Sequence, residues 1–205
     1  MSDHFPKDTW APKSVEETQA LYREWAVNYD DDVTASGYVT PERIAAALRD
    51  VMPDQSVPIL DFGCGTGLSG VALANAGFAL VDGVDISPEM LAQAQGRGIY
   101  RNVWQGKPDH YDDVAGGDYA AIVAAGVISA GAAPASTLAP LTRTLTPGGL
   151  IAFSYNNVTL ERPEYLDAVD ALVAGGEAEQ IFRESGPHLP GKGMTSDVFI
   201  LRRLA

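Results

Sequence analysis

The stretch Pro58-Ile59-Leu60-Asp61-Phe62-Gly63-Cys64-Gly65-Thr66-Gly67-Leu68-Ser69-Gly70 decides the fold of this chain. Its apolar start predicts a short buried strand, its alternating glycines predict a tight turn, and Leu68 begins a helical pattern. A second stretch, Val84-Asp85-Ile86-Ser87-Pro88, ends the next predicted strand in an acid. Such a turn lets the backbone approach a ligand, and such an acid accepts hydrogen bonds from a ribose hydroxyl pair. The sequence therefore predicts a nucleoside-binding α/β domain.

Length and composition are those of one acidic globular domain. The chain has 205 residues, of which 46% are hydrophobic and 20% charged, and its net charge is −13. Nucleic-acid binding requires a basic surface that neutralises phosphates, so this charge argues against a nucleic-acid partner. The single cysteine, Cys64, excludes an internal disulfide and fits a reducing compartment. No signal peptide or membrane-spanning segment is predicted, so we expect a cytoplasmic protein without membrane contact. The sequence predicts no oligomeric state.

Strands and helices alternate along most of the chain. An N-terminal arm with cap helices is expected over residues 1–56, followed by one sheet domain over 57–205. The segment 186–193 is rich in glycine and proline and is predicted to be a loop. It joins the last two strands, and such a short connection favours an antiparallel hairpin. The predicted strands cover residues 57–61, 79–85, 100–105, 119–125, 150–155, 179–185 and 197–203. The predicted helices cover 14–28, 68–76, 88–95, 134–145 and 164–174, and one more helix begins at Thr40. The fold class is therefore a doubly wound, mostly parallel α/β sheet of seven strands, with helices on both faces.

The glycine turn has two readings. Gly65-Thr66-Gly67-Leu68-Ser69-Gly70 matches the G-x-G-x-x-G pattern of dinucleotide-binding turns. Read from Asp61, the same stretch is an acid followed by three alternating glycines. A carboxylate ahead of the turn opposes a pyrophosphate, whereas it suits the amino group of S-adenosylmethionine. The second reading therefore favours S-adenosylmethionine over NAD, and Asp85 suits the ribose of either ligand.

Three motifs resemble those of class I S-adenosylmethionine-dependent methyltransferases. Residues 59–67 resemble the first motif of that family, and Val84-Asp85-Ile86-Ser87-Pro88-Glu89-Met90-Leu91 is similar to the second. Leu145-Thr146-Pro147-Gly148-Gly149-Leu150 resembles the turn before the fifth strand. The resemblance extends from Val57 to the C-terminus. It implies a Rossmann-like methyltransferase fold with an antiparallel last strand, S-adenosyl-L-methionine as methyl donor and S-adenosyl-L-homocysteine as product.

The N-terminal stretch Tyr22-Arg23-Glu24-Trp25-Ala26-Val27-Asn28-Tyr29-Asp30 narrows the resemblance. It is similar to a helix of the methyltransferase-like proteins of the Williams–Beuren region, in which this helix closes over the methionine end of the cofactor. The resemblance implies that Tyr22, Trp25 and Tyr29 lie near the sulfonium and the carboxylate, where aromatic faces and phenol groups suit both charges. A tyrosine–tryptophan stripe is also typical of core packing, so we expect a shared role.

Taken residue by residue, the resemblance implies a cofactor site built from five segments. Lys107 departs from the family, which often has an acid there for the adenine amine. A lysine cannot accept a hydrogen bond from that amine, which leaves the backbone of Gly106 or Lys107 to contact adenine. The expected cofactor-binding residues are Tyr22, Trp25, Tyr29, Asp61, Gly63, Cys64, Gly65, Thr66, Gly67, Asp85, Ile86, Met90, Gly106, Lys107 and Gly126.

The pocket for a methyl acceptor is expected beside the cofactor, after the fourth and fifth strands. In-line methyl transfer depends on alignment, and a base is needed where the nucleophile carries a proton. Tyr155, at a strand end, and His188, in the predicted loop, are the candidate catalytic side chains. The three histidines share no metal-ligand spacing, so no metal is expected.

The sequence thus predicts S-adenosylmethionine-dependent methyl transfer to a small-molecule acceptor. An NAD-dependent oxidoreductase is one alternative; it is disfavoured because Thr159, rather than a lysine, lies four residues after Tyr155. An S-adenosylmethionine-binding protein without transfer activity is another. The sparse catalytic side chains and Lys107 keep that alternative open.

Overall fold

A seven-stranded sheet organises the part of the chain that the computed structural model describes, residues 15–115 and 119–204. The strands are β1 Ile59–Phe62, β2 Val81–Asp85, β3 Val103–Gln105, β4 Ala121–Ala124, β5 Leu150–Asn156, β6 Ala178–Leu189 and β7 Met194–Arg203. The helices are α1 Val15–Trp25, α2 Tyr29–Ala35, α3 Thr40–Val51, α4 Leu68–Asn75, α5 Pro88–Gly96, α6 Asp112–Ala115, α7 Leu138–Thr144, α8 Asn157–Leu160 and α9 Pro163–Ala174. Short 3₁₀ turns cover Ala135–Thr137 and Pro190–Lys192.

The strand order is β3-β2-β1-β4-β5-β7-β6. Strands β1 to β5 pair in parallel, and β7 runs antiparallel to both β5 and β6. The predicted doubly wound sheet with an antiparallel last strand is therefore confirmed. The order reverses between β1 and β4, and ligands of such sheets bind in the crevice outside the carboxyl ends of the strands at this switch point.

Both faces of the central strands are buried. In β1, Leu60 contributes to one apolar cluster and Ile59 to the other, because successive side chains point to opposite faces. Helices α7 and α9 cover the first face, and α3 and α4 cover the second. The continuous apolar runs of the sequence follow from this double coverage, which is typical of parallel sheets.

The N-terminal cap differs from the prediction of one helix over 14–28. Helix α1 ends at Trp25, and a separate helix, α2, begins at Tyr29. The run Asp30-Asp31-Asp32 forms the first turn of α2. Carboxylates stabilise the amino end of a helix through the helix dipole, so the run is better placed there. Residues 1–14 lie outside the described part of the chain.

The prediction of a loop over 186–193 is wrong for the first half of that segment. Strand β6 continues to Leu189, with Gly186 paired to Ser196 and Pro187 to Thr195 on β7. Proline is tolerated here because, among the described residues, β6 is the edge strand and no further strand pairs with its outer side.

Smaller differences concern element boundaries. The helix predicted over 134–145 is divided into a 3₁₀ turn and α7. The short helices α6 and α8 were not predicted. The observed strands β1 to β4 are shorter than predicted, with β3 reduced to three residues.

Candidate active site

A cavity of about 220 Å³ lies at the carboxyl ends of β1 to β4, where the switch point places a ligand. Loops after each of these strands contribute to its wall, and the N-terminal helices close one side. The residues that line it are Thr18, Tyr29, Phe62, Gly63, Gly65, Val84, Asp85, Ile86, Ser87, Met90, Gly106, Lys107, Pro108, Asp109, His110, Tyr111, Asp113, Val114, Ala125, Gly126, Val127, Ala132, Ala133, Pro134 and Thr137.

The glycine turn reaches the cavity through bare backbone. Gly63 and Gly65 both have positive φ, +67° and +53°, a conformation that glycine adopts without strain. A Cβ on Gly63 would lie 2.3 Å from Cγ2 of Val127, so this glycine permits close contact with the loop after β4. A Cβ on Gly65 would meet no atom within 4 Å. Gly65 therefore presents its backbone to open space in the cavity.

Asp85, at the end of β2, is the carboxylate of this wall. Its Oδ2 accepts a hydrogen bond from the Gly65 N–H at 2.9 Å, and its Oδ1 accepts one from the Ser87 N–H at 2.8 Å. Burial raises the pKa of Asp85, and the backbone hydrogen bonds oppose that rise. The carboxylate is thus fixed against the turn, with further lone pairs available to donors in the cavity.

Asp61 lies behind the turn instead of facing the cavity. Its side chain is fully buried, and its Oδ2 accepts hydrogen bonds from the hydroxyls of Ser69 and Tyr100, each at 2.6 Å. Burial raises the pKa of Asp61 to about 6, although both hydroxyls favour the ionised form. The expected contact between Asp61 and a cofactor amino group, direct or through water, stays a prediction; the structure shows the carboxylate enclosed by protein.

The structure brings together many of the predicted cofactor-binding residues and separates others from the cavity. Cys64 is buried against Leu91 and Ala94 of α5, and burial raises the pKa of its thiol. The residues found in the wall are Tyr29, Gly63, Gly65, Asp85, Ile86, Met90, Gly106, Lys107 and Gly126. Trp25, Asp61, Cys64, Thr66 and Gly67 do not line it.

The N-terminal aromatic residues divide their roles. Tyr29 lines the cavity, and Trp25 packs edge-on against it with ring centroids 4.8 Å apart. The indole N–H of Trp25 donates to Asp32 Oδ2 at 2.8 Å, which fixes the tryptophan to α2. Trp25 therefore supports the cavity wall from behind. The side chain of Tyr22 lies outside the described part of the structure.

A polar cluster joins this cap to the glycine turn. The Thr66 hydroxyl donates a hydrogen bond to Asp30 Oδ1 at 2.5 Å. The Arg97 guanidinium forms an ion pair with Asp30 and also donates to the carbonyl of Thr66. Thr66 thus serves the cavity indirectly, because it holds α2 over the turn.

Neither predicted catalytic side chain reaches the cavity. Tyr155 is fully buried among Phe153, Tyr165 and Phe199. His188 lies in β6, is buried, and its Nδ1 shares a 2.8 Å hydrogen bond with the Thr40 hydroxyl. The prediction that His188 lies in a loop is therefore wrong. Tyr155 is corrected from a candidate catalytic phenol to a core residue, because β5 places it on a covered face of the sheet.

Sequence reasoning missed most of the segment 108–113 and the segment 132–137. In the first, Tyr111 stacks on Phe62 with ring centroids 6.2 Å apart. In the second, Thr137 belongs to a short 3₁₀ turn that the sequence did not signal. The first segment follows the end of the predicted third strand, where a site is expected. Extending the predicted site along this loop beyond Lys107 would have included it.

Comparisons with known proteins find similar methyltransferases. Residues 59–149 match the family model described as a methyltransferase domain. The chain is 34% identical to human methyltransferase-like protein 27 over 165 residues, which are 76% of this chain and 66% of that protein. It is also 34% identical over 101 residues to the ribosomal protein L11 methyltransferase of Hahella chejuensis, covering 49% of this chain and 34% of that protein. The chain thus spans just under two thirds, and about one third, of these relatives.

A solved structure shares the fold. The magnesium protoporphyrin IX methyltransferase of Synechocystis, with bound S-adenosylhomocysteine, superposes with a TM-score of 0.62 at 17% identity, covering 84% of this chain and 86% of that one. The fold and the matched motifs define one class, the class I S-adenosylmethionine-dependent methyltransferases. Residues 59–149 match a methyltransferase domain of this class, and S-adenosyl-L-methionine is the cofactor that the matches support.

The residues present fit this cofactor. Gly65 leaves a space that a side chain would fill, and the Asp85 carboxylate beside it faces the same cavity. A fixed carboxylate suits a ribose hydroxyl pair, and bare backbone suits close approach. Within residues 15–115 and 119–204, no group of three or more histidine, cysteine, aspartate or glutamate side chains is arranged to hold a metal. In the same residues, no helix has the length and apolar character needed to span a bilayer.

Proposed function

We propose that this protein transfers the methyl group of S-adenosylmethionine to a small-molecule acceptor. One observation carries the proposal: the backbone of Gly65 and the carboxylate of Asp85 meet in one cavity at the switch point of the sheet. This combination places a nucleoside-binding acid next to a backbone cradle, as the reaction of this family requires.

The residues of the cavity have separable roles in this proposal. Asp85 accepts from the ribose hydroxyls, while the backbone of Gly106 and Lys107 lies where adenine is expected. Tyr29 covers the methionine end, supported by Trp25. When bound, S-adenosylmethionine supplies an electrophilic methyl group on a sulfonium sulfur. The protein contributes alignment of donor and acceptor, which accounts for much of the rate of an in-line displacement.

Charge supports a small acceptor. The wall carries three carboxylates, Asp85, Asp109 and Asp113, near Lys107. A polyanion such as RNA would be repelled by these carboxylates and by the net charge of −13. The names of similar proteins include protein, small-molecule and RNA acceptors, so the acceptor class rests on this cavity. The single, buried cysteine supports a reducing, cytoplasmic compartment in the same proposal.

Calorimetric titration of the ligand-free protein with S-adenosylmethionine, S-adenosylhomocysteine and NAD⁺ tests the cofactor first. We expect the first two to bind and NAD⁺ to give no heat. Transfer of a labelled methyl group is then measured with pools of small metabolites, total RNA and a protein mixture as acceptors. Label in a small molecule supports the proposal, whereas label in RNA or protein overturns the acceptor class. Cofactor binding with no transfer to any pool favours the non-catalytic alternative.

A further inference from the structure

The side chain of Tyr100, which precedes β3, fills a slot made by three glycines: Gly67 and Gly70 at the start of α4, and Gly83 of β2. A Cβ on Gly70 would lie 2.3 Å from Tyr100 Oη, and one on Gly67 would lie 3.2 Å from Cε2. A Cβ on Gly83 of β2 would lie 3.1 Å from Cδ1 of the same ring. Gly67, Gly70 and Gly83 therefore leave room for Tyr100. The final glycine of the G-x-G-x-x-G match has a packing cause here, since any side chain at position 70 would collide with the phenol.

The phenol ends at the buried carboxylate of Asp61. Its hydroxyl donates to Asp61 Oδ2 at 2.6 Å, and the Ser69 hydroxyl donates to the same oxygen. The segment that carries Tyr100 is itself fixed to β2, because the Arg101 N–H donates to the Val81 carbonyl at 2.8 Å. Tyr100 thus connects the β2 edge to the last residues of β1.

Asp61 and Phe62 are the last two residues of β1 before the glycine turn. The N–H groups of Gly63 and Cys64 donate to the carbonyl of Val84, and the Gly65 N–H donates to Asp85. Asp61 therefore lies directly ahead of the backbone groups that join the glycine turn to the end of β2.

We propose that Tyr100 is a positioning residue for cofactor binding: its hydroxyl holds the Asp61 carboxylate, and through it the glycine turn, in the geometry that presents Gly65 and Asp85. Tyr100 does not line the cavity, so it acts through these residues. The inference rests on the proposed function in one respect, namely that the cavity binds S-adenosylmethionine.

The ionisation of Asp61 supplies a readout that a purely structural role would not change. The groups that face Asp61 are the Ser69 hydroxyl and the Gly70 N–H of α4, the Tyr100 phenol, the Cys64 thiol of the turn and the Asp85 carboxylate of β2. Burial and the Asp85 charge raise the pKa of Asp61, while the two hydroxyls lower it. Removing the phenol hydroxyl takes away one donor to the ionised form, so the pKa of Asp61 rises further.

The test compares Tyr100→Phe with Tyr119→Phe. Tyr119 is a matched control, because its phenol also donates to a buried carboxylate, Asp82 Oδ2 at 2.9 Å, away from the cavity. We expect Tyr100→Phe to weaken S-adenosylmethionine binding about tenfold, the effect of one hydrogen bond to a charged group, while Tyr119→Phe binds like the wild type. The affinity of the wild type should fall as pH decreases through about 6, and this midpoint should move upward in Tyr100→Phe.

Asp61→Asn provides a second variant, which removes the ionisable group and keeps the volume. Its pH profile should be unchanged by adding Tyr100→Phe, because both substitutions act on the same contact. Thermal unfolding of each variant shows whether it is folded. Wild-type affinity and an unshifted midpoint in Tyr100→Phe would overturn the inference, as would an equal loss in Tyr119→Phe. Failure of the wild type itself to bind S-adenosylmethionine would instead contradict the proposed function, and this inference with it.

Discussion

The two halves of the sheet differ in whether the residues at their strand ends face a cavity or are covered by other parts of the chain. In the parallel half, β3-β2-β1-β4, each strand ends in a loop that leads to a helix, and the loops leave a cavity between them. In the other half, β5 pairs antiparallel with β7, so that Asn156 at its end faces Ser196. Helix α8 and the cap then cover this edge, where Trp25, Val33, Leu189 and Met194 form an apolar cluster.

This difference explains why Tyr155 and His188 are not site residues. Both follow the positional rule that served for Asp85, since each lies near a strand end. Antiparallel pairing removes the crevice that the rule depends on, so in that half the same positions are buried. A strand end is therefore informative about a site when the strand is parallel and its following loop is open.

Asp85→Ala should produce the largest effect in the parallel half. We expect it to weaken S-adenosylmethionine binding by roughly 1–3 kcal/mol, because a carboxylate that accepts from the ligand is lost. Calorimetric titration measures this change. Asp197→Ala is the matched control in the other half, where Arg183 and Ser185 hold the carboxylate. Asp197→Ala should lower the melting temperature and leave cofactor affinity unchanged. If Asp85→Ala and Asp197→Ala lost the same affinity, the two halves of the sheet would not differ in function.

His188→Gln should change the pH dependence of stability. Burial, together with the nearby Arg43 charge, lowers the pKa of His188 from 6.5 to about 4. The unfolded chain therefore binds a proton between these pH values that the folded chain does not. The stability due to neutral His188 is fully present above pH 6.5 and is lost as the pH falls towards 4, by at most about 3 kcal/mol.

Asp61 contributes the opposite slope in an overlapping range. Its pKa is raised from 3.8 to about 6, so the folded chain binds the extra proton, and this contribution is lost as the pH rises through 6. Urea unfolding of the wild type and His188→Gln at several pH values separates the two. The difference between them should be constant above pH 6.5 and shift in favour of the variant below it. Parallel curves throughout would contradict the assigned burial of His188.

Tyr155→Phe should have the smallest effect. Among the described residues, no group accepts or donates a hydrogen bond at the Tyr155 hydroxyl, which is fully buried. Its removal should leave stability equal or raise it by up to about 1 kcal/mol, since an unsatisfied buried group is lost. Methyl-transfer kcat, once the acceptor is known, should equal that of the wild type. A fall in kcat with an unchanged melting temperature would return Tyr155 to the active site.

The sequence predicts the glycine turn and Asp85 well because their signals are local. The turn needs glycine at positions of positive φ, and the acid follows directly after its own strand, so both can be read without knowledge of the partners. The prediction for strand β6 is too short because its pairing with β7 is a long-range property. That pairing outweighs the tendency of Gly186 and Pro187 to end a strand.

The burial of Asp61 and the role of Tyr100 depend on distant parts of the chain. Asp61 reads as a ligand-facing acid until Ser69 and Tyr100 are seen around it. Tyr100 lies outside the motifs, and the slot that receives it combines Gly67 and Gly70 of the glycine motif with Gly83 of β2. The sequence shows the glycine motif, but it does not show that a tyrosine from a distant segment packs against it.

The seclusion of Cys64 gives the protein an internal reporter. Its thiol is 3% exposed and lies against Gly83, where burial raises its pKa, so a thiol reagent reacts with it when the turn opens. Because the chain has no other cysteine, the rate of labelling counts openings at one known place. A ligand that keeps the turn closed lowers the rate of Cys64 labelling. Opening of the glycine turn is therefore measurable in solution without a chromophore on the ligand.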